Sequence, residues 1–414
     1  MMIMEHDNIT PHLFRTEYSK IVAVLFKTFH LKQIEIAEDI ASDTFLKASE
    51  TWSVNGVPEN PAAWLYTVAK NKARDYFKHV AVFETKVKQA IKREETETTE
   101  EFEFSNQNIS DSQLAMIFAV CNPVNAPEAQ ICLALQILCG FSIEEIGNAF
   151  LVKNETIKKR LYRARSHLNR DNFQIGALSQ AEIHARLDTV LKTLYLLFNE
   201  GYFSKTNDRL VRKDLCSEAI RLALVLAENS LTNTPQINAL LALMCFQASR
   251  LEARTNDEGE AVLFEDQDRN LWDDALIDRG NFYLINACSG DEVSKYHLEA
   301  AIAYWHTTPA DPSKWKHILQ LYDQLILIEY SPVTALNRAF AYGKVHGSKK
   351  GILETEKLDL TDYSHYHGLL GHFWAETDAV TAISHYRQAV SLTKSQIEKQ
   401  TLAREIRRLK EIHD

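Results

Sequence analysis

Along most of the chain apolar residues return every three or four positions, and the periodic stretches are joined by short polar links. That spacing aligns side chains on one face of a 3.6-residue helix and predicts amphipathic α-helices. With 13 Gly and 9 Pro in 414 residues, helix breakers are sparse, so the expected fold class is all-α. Ala37, Ala41, Phe45 and Ala48 make one inward stripe. Behind a helix start at Pro61, Leu65, Ala69, Ala73 and Tyr76 make a second. Ile143, Ile146 and Phe150 recur at i, i+3 and i+7 behind Ser142, and Glu145 three residues on completes a capping box. After a break at Leu151-Val152-Lys153, Asn154 can cap another helix with the stripe Ile157, Leu161, Ala164 and Leu168.

A capped helix, a three-residue turn and a second amphipathic helix form a helix-turn-helix, whose second helix enters a major groove. Charge agrees with that reading. Seven positive residues lie between Lys153 and Arg170 of a chain whose formal net charge is −10, and positions 101–150 hold no Lys or Arg. An acidic protein meets a polyanion only through such a local patch. Asn154, Glu155, Thr156, Lys158 and Lys159 lie toward the start of the helix, where side chains reach base edges. Arg160, Tyr162, Arg163 and Arg165 lie further along, where arginines hold phosphates. A solvated basic face is the plain alternative; cap, turn and basic second helix together favour DNA.

Nearer the N-terminus, Glu35, Asp39 and Asp43 stand at i, i+4 and i+8. Like charges at that spacing repel, so the stripe either faces a basic partner or is solvated. Trp64, Tyr66, Tyr76 and Phe77 interleave with Lys70, Arg74 and Lys78, a mixture that suits opened DNA: rings stack on bases while cations follow the backbone.

Composition divides the chain. EETETTEEFE at 94–103 holds six Glu and runs into SNQNISDSQ, so 84–112 reads as an acidic linker. A second seam falls near 169–182, leaving domains at 10–83, 113–172 and 178–414. In the last of these a weak repeat shows: Ala219-x3-Ala223-x2-Leu226, Ile318-x3-Tyr322-x2-Leu325 and Ala382-x3-Tyr386-x2-Ala389. Tyr322 and Tyr386 are 64 apart, near two units of the roughly 34-residue tetratricopeptide (TPR) helix pair. Glu200, Asp266, Asp268, Asp273 and the run His365, His367, His372 lack the tight spacing of metal or acid–base sites, so no catalytic residue, metal or cofactor is expected. Six cysteines without a CxxC pair, no apolar run of bilayer length and no basic-then-apolar N-terminus lead to the expectation of a cytoplasmic protein with no membrane span.

AEDIASDTFLKASETW, NPAAWLYTVAKNKARDYFK and APEAQICLALQILCGFSIEEIGNAFLVKNETIKKRLYRARSHL, taken together, resemble regions 2 and 4 of bacterial RNA polymerase sigma factors of the extracytoplasmic-function (ECF) type, over about 10–80 and 114–170. The resemblance implies a region 2 bundle and a region 4 helix-turn-helix. It places Asp39, Asp43 and Phe45 on the surface that docks on core RNA polymerase, and Trp64, Lys70, Asn71 and Arg74 where the −10 element is read and opened. The helix from Asn154 would read the −35 element, and the linker would occupy polymerase channels. YLLFNEGYF, DQDRNLWDDALI and SPVTALNRAFAYG resemble the TPR-like extension of one ECF group. There Asn199, Glu200, Asp266, Gln267 and Trp272 would form a regulatory surface for a peptide, a protein partner, a small ligand or the sigma domains. The implied function is an alternative sigma factor for promoter DNA, regulated in cis and not an enzyme. The alternative is a helix-turn-helix activator with a helical-repeat sensor, which binds duplex DNA without polymerase and has no use for residues 36–78.

Overall fold

The computed structural model describes residues 6–28, 34–88, 105–150, 152–170, 180–202, 212–256, 262, 264–308 and 311–413. Among them there are helices and no strand, so the fold is all-α as the periodicity predicts. In chain order the first helices are α1 His6–Thr28, α2 Ile34–Asn55, α3 Pro61–Lys88, α4 Asn106–Val120, α5 Pro127–Leu133, α6 Ile143–Phe150, α7 Asn154–Arg170 and α8 Gln180–Tyr202. Then come α9 Lys213–Glu228, α10 Pro235–Ala248, α11 Asp274–Ala287, α12 Lys295–Thr307 and α13 Lys314–Ile328. The last are α14 Pro332–His346, α15 Ser348–Glu356, α16 Ser364–Trp374, α17 Ala379–Leu392 and α18 Gln396–His413.

The chain forms two compact units, Met1–Thr193 and Leu194–Asp414. The division falls inside α8, later than the seam that composition marks at 169–182, because Thr193 is tied into the first unit. Its Oγ1 donates to Gln130 Oε1 at 2.8 Å, and Gln130 Nε2 donates to the carbonyls of Asn122 and Asn125 at 3.0 and 2.7 Å. A buried amide held at both ends in this way fixes the loop between α4 and α5.

In the first unit the predicted stripes point inward: Ala37, Ala41, Phe45 and Ala48 of α2 and Leu65, Ala69 and Ala73 of α3 are buried. Tyr76 departs from its stripe. It is exposed, and its ring rests edge-on against Phe77 at 5.3 Å instead of entering the core. Helix also replaces both ends of the expected linker: α3 continues to Lys88 and α4 starts at Asn106, its first turn closed by Ser105, which accepts from Asn108 N–H. Residues 89–104, including the six-Glu run, lie outside the described residues. Because α4 packs on α1 and buries Met116, Ile117 and Phe118, the α1–α3 bundle and the later helices share one core.

In the second unit successive helices pack against one another from α9 to α18, and the repeat positions Ala219, Ala223, Leu226, Ile318, Leu325, Ala382, Tyr386 and Ala389 are buried. One close approach is built on glycine: a Cβ at Gly343 would lie 2.4 Å from Cζ of Phe373, which is itself fully packed. Two of the acids considered for chemistry cap turns instead, Asp268 accepting from Asn270 N–H and Asp273 from Leu276 N–H. His367 is buried between His385 and the Thr361 carbonyl, and no group of metal-ligating side chains assembles among the described residues.

Candidate nucleic-acid interface

α6, the turn after it and α7 form as their local signals require. Ser142 N–H donates to Glu145 Oε2 at 2.8 Å while Glu145 N–H donates to Ser142 Oγ at 3.1 Å, the reciprocal capping box. The turn is tight: Val152 N–H donates to the Gly147 carbonyl at 2.9 Å. Asn154 presses back against the same residue, so that a Cβ at Gly147 would meet Asn154 Oδ1 at 2.5 Å. Asn154 is the first residue of α7, and the carbonyl that opens the helix is that of Lys153, which accepts from Ile157 N–H. Ile157, Leu161, Ala164 and Leu168 are all buried.

The opposite face of α7 is open. Asn154, Glu155, Thr156, Lys158, Lys159, Tyr162 and Arg163 are exposed, with Tyr162 at 74%. Glu155 bonds Lys158 at 2.9 Å, which holds the Glu155 carboxyl below its usual range through the lysine's hydrogen bond and charge. Arg160 is half-buried and approaches Cys132 Sγ at 3.7 Å.

Arg165 does not join this face. Its guanidinium turns inward onto α2, with Nη1 and Nη2 donating to Glu38 at 2.7 and 2.9 Å, Nη1 also to Glu35 at 3.1 Å, and Nη2 to Gln136 at 2.9 Å. Burial draws the Arg165 pKa down, but Glu38 and Glu35 more than offset it and the net shift is upward. Gln136 reaches the guanidinium from a single π-helical turn, Ala134–Leu138, between α5 and α6. Such turns carry one extra residue and re-aim side chains. Beside this junction Phe14, Tyr18 and Glu38 on one side and Gln136, Gly140, Phe141, Ser142 and Glu145 on the other line a cleft of about 420 Å³.

The α2 and α3 candidates divide. Asp39 and Asp43 are exposed, as a docking surface requires, but the acidic stripe is not a row of unpaired charges: Glu35 meets Arg165, and Asp43 lies 3.4 Å from Lys72. Phe45 is inside the bundle, 5.0 Å from the Phe14 ring and beneath Tyr18, and so is a core residue and not a surface contact. On α3, Asn71 and Arg74 are exposed, Lys70 is half-buried, and Trp64 is half-buried against Trp52 at 5.3 Å. Tyr66 donates to Glu17 within the bundle, which removes it from the rings free to stack on bases; burial first and this bond second push its hydroxyl pKa up.

In the second unit Asn199 hydrogen-bonds Tyr195, whose hydroxyl donates to the half-buried Glu299 at 3.1 Å, while Glu200 is also half-buried. Asp266 is exposed. Trp272 is buried, and neither its Nε1 nor Oε1 of Gln267 has a partner among the described residues. Trp272 is 5.1 to 5.8 Å from the guanidinium groups of Arg269 and Arg250. Period and resemblance pass over those arginines because they lie on different short elements.

Comparison with known proteins gives three findings. Residues 13–81 match the sigma-70 region 2 family, and residues 186–288 match a family of unknown function, DUF6596. An uncharacterized protein of Rhizobium meliloti (strain 1021) is 32% identical over 350 residues, covering 83% of this chain and 82% of that one. No solved structure matches. Among the described residues no helix is long and apolar enough to cross a membrane.

Proposed function

The chain belongs to the family of the Rhizobium meliloti protein and carries a sigma-70 region 2, and from that premise we propose an ECF-type sigma factor whose helical second unit regulates it in cis. The observation that carries the reading is the order of parts: region 2 at 13–81, then a capped helix-turn-helix with an open basic face. Asp39 and Asp43 present acid to core RNA polymerase. Arg74 and Asn71, with Lys70 and Trp64 beside them, follow and stack on the opened −10 strand. Asn154, Glu155, Thr156, Lys158 and Lys159 approach the −35 base edges, while Tyr162 and Arg163 lie along the phosphates. Arg160, half-buried, steadies the helix, and Arg165 holds it to α2. The protein performs no covalent chemistry; the polymerase does.

The regulatory role of the second unit rests on its size and on its chain of stacked helices, the arrangement that gives helical-repeat proteins their extended binding faces. We assign it a TPR-like character on the buried repeat positions. Peptide or protein partners are the class of ligand such a face suits, and Asn199, Glu200, Asp266, Gln267 and Trp272 remain its candidate polar contacts.

Reconstituted transcription tests the reading. Core polymerase with this protein should yield a discrete transcript from the promoter of its own operon that core alone does not yield. Equally tight and selective binding to duplex promoter DNA without polymerase would replace the sigma factor by a helix-turn-helix activator. Removing the second unit should change transcription or promoter choice; unchanged activity would make it a docking platform with no effect in cis.

A further inference from the structure

Between the end of α10 and the start of α13 the described residues of the second unit gather positive charge with no carboxylate bonded to it. Arg250 is 9% exposed and Lys314 8%. Arg254 stands on the short turn Glu252–Arg254, its guanidinium 3.8 Å from the Tyr202 ring centre. The Arg250 guanidinium lies 5.0 Å from the centre of the Phe264 ring, and Lys314 Nζ lies 5.6 Å from the same ring. His306 packs edge-on against that ring at 4.8 Å, and Trp272 closes another side at 6.1 Å.

Ring faces attract cations but do not neutralise them. What would neutralise them is a carboxylate, and among the described residues four nearby acids are engaged elsewhere. Glu265 pairs with Lys344 at 2.7 Å, Asp268 and Asp273 cap turns, and Asp311 accepts from Ser313. Among the described residues the arginines' hydrogen-bond partners are neutral: Arg250 donates to the Tyr202 hydroxyl at 2.9 Å, and Arg254 to the Tyr202 carbonyl. Lys314 Nζ reaches nothing better than the His306 carbonyl at 3.5 Å.

Three sealed nitrogens have no partner among the described residues: Nε of Arg250, Nε1 of Trp272 and Nδ1 of His306. Sealed polar nitrogens without partners are expensive, and a buried unpaired cation more so. Lys314 is also the first residue of α13, where the helix end adds positive potential instead of relieving it. The electrostatics register the strain. Burial, then Arg250 and Lys314, press the His306 pKa down to about 3. Burial, Arg269 and Arg250 lower Lys314, and burial leads the lowering of Arg254.

Arg, Lys and Trp nitrogens only donate, so the missing partner is an acceptor, and the summed charge makes it an anion. We propose that Arg250, Arg254 and Lys314, walled by Phe264 and Trp272, form a binding site for a small oxyanion, the carboxylate or phosphate group of a small molecule. The burial of the donors rules in a compact group and rules out the backbone of a duplex. Binding here involves neither polymerase nor DNA and stands apart from the transcription reading.

The test uses the full chain, exchanged into chloride buffer at fixed ionic strength and titrated with inorganic phosphate or, separately, succinate while melting is followed by calorimetry. At tenfold excess over Kd one of these anions should raise the melting temperature of the second unit by about 3–6 °C, with saturation. Phosphate alone, succinate alone or both would identify the group as phosphoryl, carboxylate or either. Arg250→Met and Lys314→Met should abolish the saturable rise, and Trp272→Phe, which keeps a ring and removes the N–H, should weaken binding several-fold. A flat titration of the unmodified protein with both anions overturns the site. So does a rise that persists undiminished in any of the three variants.

Discussion

Arg165 in the first unit and Arg250 in the second are both guanidinium groups withdrawn from water, and the fold treats them in opposite ways. Arg165 is given two carboxylates and an amide that between them occupy its fork. Arg250 is given a tyrosine hydroxyl, two aromatic faces and two further cations. A guanidinium closed by its own chain fastens two helices together. One left without an acid keeps its strongest valence for something from outside. The same residue type therefore marks a structural joint in one unit and a receptor in the other, and burial alone does not tell them apart.

The sharpest way to break this comparison is to make one substitution at both places. Arg165→Met strands Glu38, a half-buried acid that then has no cation, and should lower the stability of the first unit by about 3 kcal/mol in urea unfolding. Arg250→Met in chloride buffer removes one member of a repelling set and should cost under about 1 kcal/mol or stabilise. Equal losses at both positions would erase the distinction.

Glu299 extends the contrast to an acid. Burial first, and the Glu329 charge against it, raise its pKa to about 7, although the Tyr195 hydroxyl and Lys295 pull the other way. Because the folded value exceeds the usual 4.5, the native state holds the proton more tightly. Its stabilising contribution is complete below about pH 4.5 and is lost as pH rises to about 7. The loss should approach about 3 kcal/mol at most. Glu299→Gln should flatten that part of the stability–pH curve, and a curve unchanged by the substitution would show that this acid is not the titrating group.

Smaller effects are expected on the open face of α7. Ala at Lys158, Lys159 and Arg163 together should leave stability within about 0.5 kcal/mol, because these side chains are exposed. The slope of log affinity against log salt for promoter DNA should fall by about one unit for each phosphate contact removed. An unchanged slope would return this face to a merely solvated one.

How much of this was legible beforehand depends on the range of the interaction. The capping box at Ser142 and Glu145, the α7 stripe and the α2 stripe are written within four to twelve residues, and local signals are sufficient to read them. Arg165 is adjacent to Ala164 and one turn beyond Leu161, on the shoulder of the buried stripe, where period alone does not say which way a long side chain turns. Its partners Glu35 and Glu38 are 130 and 127 residues away, a distance across which no local pattern operates. Spacing places Phe45 inward and resemblance places it on the docking surface, and its contacts with Phe14 and Tyr18 favour the spacing. The Arg250 cluster was invisible for the same reason as Arg165: the turn after α10, the short turn Glu252–Arg254 and α13 each contribute one cation, and only the tertiary fold brings Arg250 and Lys314 to Phe264.

The π turn at Ala134–Leu138 makes this protein sensitive to length as well as to identity. There Cys139 N–H reaches back five residues to the Ala134 carbonyl at 3.2 Å, one residue more than an α-helix uses. Deleting a single codon in this stretch would let the backbone rewind as ordinary α-helix, an easier local conformation. Everything after it would be carried about 100° around the axis. Gln136 would swing off Arg165, and α6 would leave the segment at a new azimuth, taking α7 with it. None of the five side chains in the turn needs to be special for this to hold. The feature is inherited as a count, so a gene that preserves every chemical property here but loses one triplet would still lose the joint.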